Sequence, residues 1–414
     1  MIYSSKLEIM DLFKNFPSPE KMREAAVHQE MHVRNVNGHF HTPYSFSAFS
    51  EVEDVFRIAE DENVEVLGIN DFYTMDGYEE FAELCLEYKK FPLFNIEFMG
   101  LLMNEQRKNV RVNDPNNPGR TYFSGKGLDC PVSLGGTLRD KLQTVRKESD
   151  AQTREMVKKA SNHLTSVDPE LEITYETILN KYTKGMVRER HIAKAIRSLV
   201  FYKYPSVNDR LDALTKIYGG KKPEVNIEDA VAVDGEIRSM LLKTGGVAFV
   251  KEDQKAFLEI SEIVEIILGA GGIPCYPVLL DNKKEEFTDF ERDYEALYNR
   301  LTEMNIYSVE LIPGRNTHKF LSPFVKFFND KGFVIIFGTE HNTPALDPLT
   351  VNASDGPLGE YLEQVNYEGA CIIAAHQYLR AKGENGYLNN DGKPVPERND
   401  FVRLGNAVIN QFTK

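Results

Sequence analysis

The stretch Asn37-Gly38-His39-Phe40-His41-Thr42-Pro43-Tyr44-Ser45 closes a short apolar run, 33–38, with two histidines set two residues apart. Successive side chains of a strand point to opposite faces, so residues i and i+2 share one. His39 and His41 are therefore expected to present two imidazoles on one side of a strand end. Reading outward, the pattern repeats. The run 64–70 ends in Asn70-Asp71, 91–96 ends in Glu97, and 333–339 ends in Glu340-His341. Two more apolar runs occupy 272–278 and 306–312. Amphipathic helical patterns lie between them. In 258–270, Leu258, Ile260, Ile263, Val264, Ile267 and Ala270 mark an apolar stripe, with Glu259, Glu262 and Glu265 off it. Strands alternating with helices indicate βαβ units and a parallel sheet. In a closed βα barrel the strand C-termini converge on one face. Two imidazoles and neighbouring carboxylates there would form a mixed N/O site suited to Zn, Mn or Fe. A polar residue at one strand end is equally a loop start; agreement among four strand ends favours a site.

The middle of the chain differs. From 137 to about 243 the periodicity is helical, over 138–161, 175–182, 191–203 and 226–242, with Pro205, Pro223 and Gly219-Gly220 as punctuation. It reads as a mostly helical insertion, 137–245, between barrel parts 33–136 and 246–345. Residues 1–32 form a helical leader and 346–414 an extension packed on the barrel. Segment 104–136 reads as a long loop, and 385–400 as a loop before a final helix at 401–412.

The chain has 414 residues, 49 Lys+Arg and 63 Asp+Glu, for a net charge of −14. That balance speaks against binding duplex nucleic acid, which is gripped by a basic surplus. An anionic substrate would have to be held by local cations against the global field. The four cysteines are too scattered for a Cys-x-x-Cys motif or a disulfide framework. Lys6, Glu8, Asp11 and Lys14 interrupt the first residues, so no signal peptide is expected. The longest uncharged apolar stretch, 266–280, is broken by Gly and Pro and is too short to span a bilayer. A cytoplasmic protein without membrane contact is the expectation.

The opening motif resembles that of the PHP superfamily (polymerase and histidinol phosphatase), and further resemblances follow in order over roughly 33–345. Leu67-Gly68-Ile69-Asn70-Asp71-Phe72 is similar to the second motif, usually Thr-Asp-His. Asn95-Ile96-Glu97 resembles the Gly-x-Glu strand. Arg190-His191-Ile192-Ala193 resembles the Arg-Pro-His-Ile-Ala of the helical insertion in the small phosphoesterase branch. Gly271-Gly272-Ile273-Pro274 with Tyr276-Pro277 resembles Gly-Gly-Ile…His-Pro, and Ser308-Val309-Glu310 the Gly-Ile-Glu strand. Phe337-Gly338-Thr339-Glu340-His341 stands where Gly-Ser-Asp-x-His is expected.

The resemblance implies a distorted TIM-like (β/α)7 barrel and hydrolysis of a small phosphate ester by metal-activated water. It implies a site of up to three metals. The family's first metal position carries over to His39, His41, Glu97 and Glu340. Positions for the others hold Phe72, Tyr122 and Tyr276, which are poor ligands, so one divalent ion (Zn, Mn, Fe or Mg) and at most two are expected. Asp71 or His341 would handle a proton, while His191, Arg190 and Arg315 would clamp the phosphate. The alternative is a degenerate PHP-fold protein that binds a sugar, nucleotide or protein partner without catalysis, using aromatics at the barrel mouth.

Overall fold

The computed structural model describes residues 12–281, 286–343 and 345–414. The strands are β1 (Asn35–Phe40), β2 (Val64–Phe72), β3 (Phe91–Leu101), β4 (Arg120–Lys126), a two-residue β5 (Leu258–Glu259) paired to β3, β6 (Ile273–Val278), β7 (Ser308–Leu311) and β8 (Val334–Phe337). The sheet order is β1-β2-β3-β4-β6-β7-β8. All pairs are parallel except β3–β4 and β4–β6, which are antiparallel. The strands are buried on both faces because helices cover the outside, which explains their near-continuous apolar runs.

The sheet closes where β8 returns to β1. The carbonyl of His39 accepts from Thr339 N and Glu340 N at 3.0 and 2.9 Å, and the carbonyl of Glu340 accepts from His41 N at 2.8 Å. This approach needs a missing side chain: a Cβ on Gly338 would lie 2.4 Å from that of His39. The result is a nearly closed, distorted TIM-like barrel with a helical insertion, as expected. One expectation fails: segment 104–136 is not a plain loop, because it contains β4. Its residues alternate between buried faces as a strand should, but Gly, Asn and Pro crowd the approach at 113–119 and hide the pattern.

The insertion begins with a 32-residue helix, Gly136–Val167, and continues through Tyr175–Tyr182, Glu189–Lys203, Val207–Ile217 and Ala230–Ile237. It has its own apolar cluster, including Met156, Leu164, Ile178, Ile196, Leu214 and Ile237. Two C-terminal helices, Glu360–Ala381 and Arg398–Phe412, join the barrel core instead. Asn366 accepts from Phe337 N at 2.8 Å and donates to the Val36 carbonyl at 3.1 Å. Gln377 accepts from Phe94 N and donates to the Pro92 carbonyl, both at 3.0 Å. The first of these helices thus supplies hydrogen bonds that backbone groups of β1, β3 and β8 would otherwise lack. No helix among the described residues is long and apolar enough to cross a membrane.

Candidate metal centre

His39, on β1, and His41, just beyond it, face inward beside Glu97 of β3, and all three side chains are buried. Their ligand atoms form a small triangle. His39 Nε2 and His41 Nε2 are 3.5 Å apart, His41 Nε2 lies 3.1 Å from Glu97 Oε2, and His39 Nε2 lies 3.7 Å from it. A tetrahedral ion with bonds of about 2.0–2.1 Å requires ligand spacings of about 3.3–3.4 Å. The triangle fits one face of such an ion.

The electrostatics agree with a centre built for a cation. Burial lowers the His41 pKa to about 4. Burial also pushes the Glu97 carboxyl well above the usual range, with Glu340 and Glu310 adding to it and His39 opposing. The neutral His41 is already in the form a metal takes, and a bound ion would reverse the preference of Glu97, since metal ligands must be deprotonated. His41 also packs against two aromatic rings: Phe72 and Phe46 stack on it, each at 5.1 Å between centroids, and lie 5.5 Å from one another. Phe72 stands where the family motif has a histidine, and here it fixes the ring of a ligand instead of adding one.

The sequence reading missed the groups that orient His39. Glu310, on β7, accepts from His39 Nδ1 at 2.9 Å. With that proton on Nδ1, the Nε2 lone pair is left facing the cluster, and Asn70 Nδ2 lies 3.0 Å from it. Lys126, on β4 and fully buried, pairs with Glu310 at 2.5 Å and donates to Asn70 Oδ1 at 3.2 Å. Ser124 donates to the other Glu310 oxygen. Burial opposes the charge on Glu310, but Lys126 and His39 hold its carboxyl below the usual range. Glu310 was visible as a strand motif; Lys126 lay in the segment read as loop.

Glu340 is close but differently engaged. It pairs with Arg315 and accepts from Asn342 Nδ2 at 2.5 Å, so it stands outside the three-residue cluster. Burial works against its charge, while Arg315, His39 and His41 hold its carboxyl below the usual range. Arg315 does reach the mouth, lining a cavity of about 250 Å³ with His39, Glu97, Tyr122 and Glu340.

Three expected catalytic groups are placed elsewhere. Asp71 accepts from Thr42 N at 2.8 Å, from the Thr42 hydroxyl, and from Ser45 Oγ at 2.6 Å, and burial raises its pKa. Those donors make it an anchor for the turn after His41; it reaches that ligand through Ser45, 3.5 Å from His41 Nδ1, and through its charge. His341 has both nitrogens taken, by the Thr339 hydroxyl at 2.6 Å and the Asp347 carbonyl at 2.7 Å. A ring so held is not free to move a proton. His191 accepts from Arg188 N at 3.0 Å and lines a different cavity; Arg190 lines that cavity and also the one walled by Phe72, Tyr122 and Asn342. Tyr276 points away from the cluster and donates to Glu291 at 2.7 Å.

Fold and site together define a class: a distorted TIM-like α/β barrel with a helical insertion, carrying a buried His-His-Glu cluster at its mouth. No protein-family model matches the chain, and no curated protein matches it by sequence. Solved structures do. A provisionally assigned metal-dependent phosphoesterase from Bifidobacterium adolescentis is similar with a TM-score of 0.51 and 15% identity, over 79% of this chain and 95% of that one. An amidohydrolase from Chromobacterium violaceum is similar at TM-score 0.47 and 16% identity, over 80% and 96%. At such identity the first likeness speaks for the fold alone.

Proposed function

We propose that the barrel mouth holds one divalent metal on His39, His41 and Glu97 and hydrolyses a small phosphate ester. The observation that carries this reading is the ligand triangle, whose edges of 3.1, 3.5 and 3.7 Å match a metal's coordination face. When bound, the metal would lower the pKa of a water and offset charge on the phosphoryl oxygens. The chain's own residues do the rest. Glu310 fixes the His39 tautomer, and Lys126 keeps Glu310 ionised. Phe46 and Phe72, packed together against His41, hold its ring in place. Arg315, at the rim, is the cation able to meet a phosphate by leaving Glu340.

The same geometry favours one ion. Glu97, Glu310 and Glu340 are three carboxylates in one buried cluster, and Lys126 and Arg315 already neutralise two of them. A second divalent ion would have to displace one of these cations. The test is metal analysis of protein purified without chelator, with hydrolysis assays on phosphomonoesters and nucleotides. The expected result is about one equivalent of metal and activity abolished by chelator. No metal and no metal-stimulated hydrolysis would refute it. A non-catalytic ligand-binding reading is favoured by the aromatic mouth of Phe46, Phe72 and Tyr122. Stabilisation by a sugar or nucleotide that survives chelator, without turnover, would support that reading instead.

A further inference from the structure

Side chains of β4 alternate between the two faces of the sheet, so Tyr122, Ser124 and Lys126 share one. That face is the inner one, because Ser124 and Lys126 both reach Glu310. On β3, Glu97 lies opposite Ser124 and Met99 opposite Tyr122, so Tyr122 stands one step nearer the mouth than the metal cluster. Asn113 fixes the strand at this point, accepting from Tyr122 N at 2.8 Å and donating to the Tyr122 carbonyl at 2.9 Å. The ring packs edge-on against Phe72, with 6.1 Å between centroids. Its hydroxyl has no hydrogen-bond partner among the described residues and is not sealed in by protein, so it opens onto the cavities that the ring lines.

Two cavities meet at this side chain. The inner one, of about 250 Å³, holds His39, Glu97, Arg315 and Glu340. The outer one, of about 430 Å³, runs between the barrel mouth and the insertion, and its polar wall includes Asn116, Asn117 and Gln152. Phe72, Tyr122 and Asn342 line both. Phe72 has no polar side-chain atom, and Asn342 Nδ2 is drawn to Glu340 at 2.5 Å. The Tyr122 hydroxyl is thus the uncommitted donor at the junction. Burial pushes its pKa up, with Asp114, Glu97 and Glu340 adding to it, so the group stays a phenol.

We propose that Tyr122 is a catalytic residue, its hydroxyl donating a hydrogen bond to the ester oxygen of an alkyl phosphate that spans the junction, phosphate in the inner cavity and polar alcohol in the outer. The inference rests on the hydrolysis proposed above and adds to it the group that meets the leaving oxygen. A substrate shared between the two cavities brings its bridging oxygen to the wall they share. As the water oxygen bonds to phosphorus, the phosphorus–ester oxygen bond breaks and leaves its electron pair on the ester oxygen. The proton that the water gives up ends on that oxygen, and the alcohol departs. Tyr122 keeps its own proton and stabilises the charge that builds up there, as a fixed donor in a site screened from water does.

The experiment compares the metal-loaded full chain with Tyr122→Phe on two esters, glycerol phosphate and p-nitrophenyl phosphate. An alkoxide is a poor leaving group and needs the donor; p-nitrophenolate leaves well without it. The expected result is a fall in kcat of about 100-fold on glycerol phosphate and a far smaller one on p-nitrophenyl phosphate. Metal content and Tm should match the wild type, since the lost hydroxyl bonds to nothing in the fold. Equal losses on both esters, or none on either, would overturn the inference and leave metal-dependent hydrolysis standing. A lower metal content in Tyr122→Phe would also overturn it, by making Tyr122 a ligand, and so would a lower Tm, by making the hydroxyl structural. Wild-type turnover of the aryl ester alone would count against it, because the alkyl ester is the one this donor serves. No turnover of either ester by the metal-loaded wild type would overturn it together with the reading on which it rests.

Discussion

At the scale of single residues, the most consequential group is Lys126. A buried ammonium is expensive, and here it is tolerated because Glu310 and Asn70 receive it. Lys126→Met should leave Glu310 ionised without its cation, with only His39 and Ser124 as donors. We expect a loss of about 3–5 kcal/mol of stability and a roughly 10–100-fold loss of metal affinity, read by denaturation and by competition with a chromogenic chelator. The double variant Lys126→Met/Glu310→Gln should recover most of the stability but not the affinity. Equal affinity in all three proteins would mean that the pair does not orient His39. Arg315 makes the opposite prediction. Removing it in Arg315→Met releases Glu340 beside His39 and His41, and metal affinity should rise several-fold in the same competition assay. An unchanged or weaker affinity would count against Glu340 as a reserve ligand.

At the scale of elements, the buried helix Glu360–Ala381 completes the barrel. Asn366→Leu would strip partners from Phe337 N and the Val36 carbonyl, both in the wall that closes beside His39. An unsatisfied buried polar group costs about 1–3 kcal/mol, so urea denaturation should show a loss of about 2–4 kcal/mol. A change under 1 kcal/mol would show that other donors or water take over. The same helix carries His376, which donates from Nε2 to the Gly271 carbonyl at 2.6 Å and accepts from Tyr387 N at 2.9 Å. Burial lowers its pKa from 6.5 to about 4. The unfolded chain therefore binds a proton at His376 between pH 6.5 and 4 that the folded chain refuses, and this contribution falls as pH falls through that window. The stability gap between the wild-type protein and His376→Gln should shrink by roughly 3 kcal/mol from pH 7.5 to pH 4. A constant gap would mean that His376 titrates in the fold as it does in the unfolded chain.

These elements also mark what sequence patterns convey. β1, β2 and β3 were legible because each is a local apolar run with polar chemistry at or near its end. β4 was not, because its antiparallel insertion between β3 and β6 is a long-range pairing that composition does not announce. Missing the strand meant missing Lys126, whose inward direction follows from its register with Ile273 across the β4–β6 ladder.

At the scale of the molecule, two apolar clusters share one chain, the barrel with its C-terminal helices and the insertion. Ion pairs cross the seam: Lys184 meets Glu51 and Glu80 at 2.8 and 2.7 Å, and Arg146 meets Asp76 at 2.6 Å. A metal bound to His39, His41 and Glu97 ties β1 to β3, so stabilisation should concentrate in the barrel. Binding at 100 times Kd adds about 2.7 kcal/mol. Hydrogen exchange should slow at 35–41 and 91–101 on adding metal, and stay unchanged at 207–237. Equal slowing throughout would mean that barrel and insertion open as a unit.

The sequence by itself determined the alternation of strand and helix, the helical insertion and the inward pair His39 and His41, because each follows from local periodicity. It also carried Glu97 and, as a strand motif with no role assigned, Glu310. Only the tertiary structure decided which charge meets which. Glu340 was claimed by Arg315, His341 by backbone and hydroxyl, and Asp71 by the turn at Thr42 and Ser45. His191 went to another cavity, and Lys126 came to Glu310 from a different strand. Electrostatic partnership depends on distances of a few ångströms between residues far apart in the chain, and no local pattern specifies those distances.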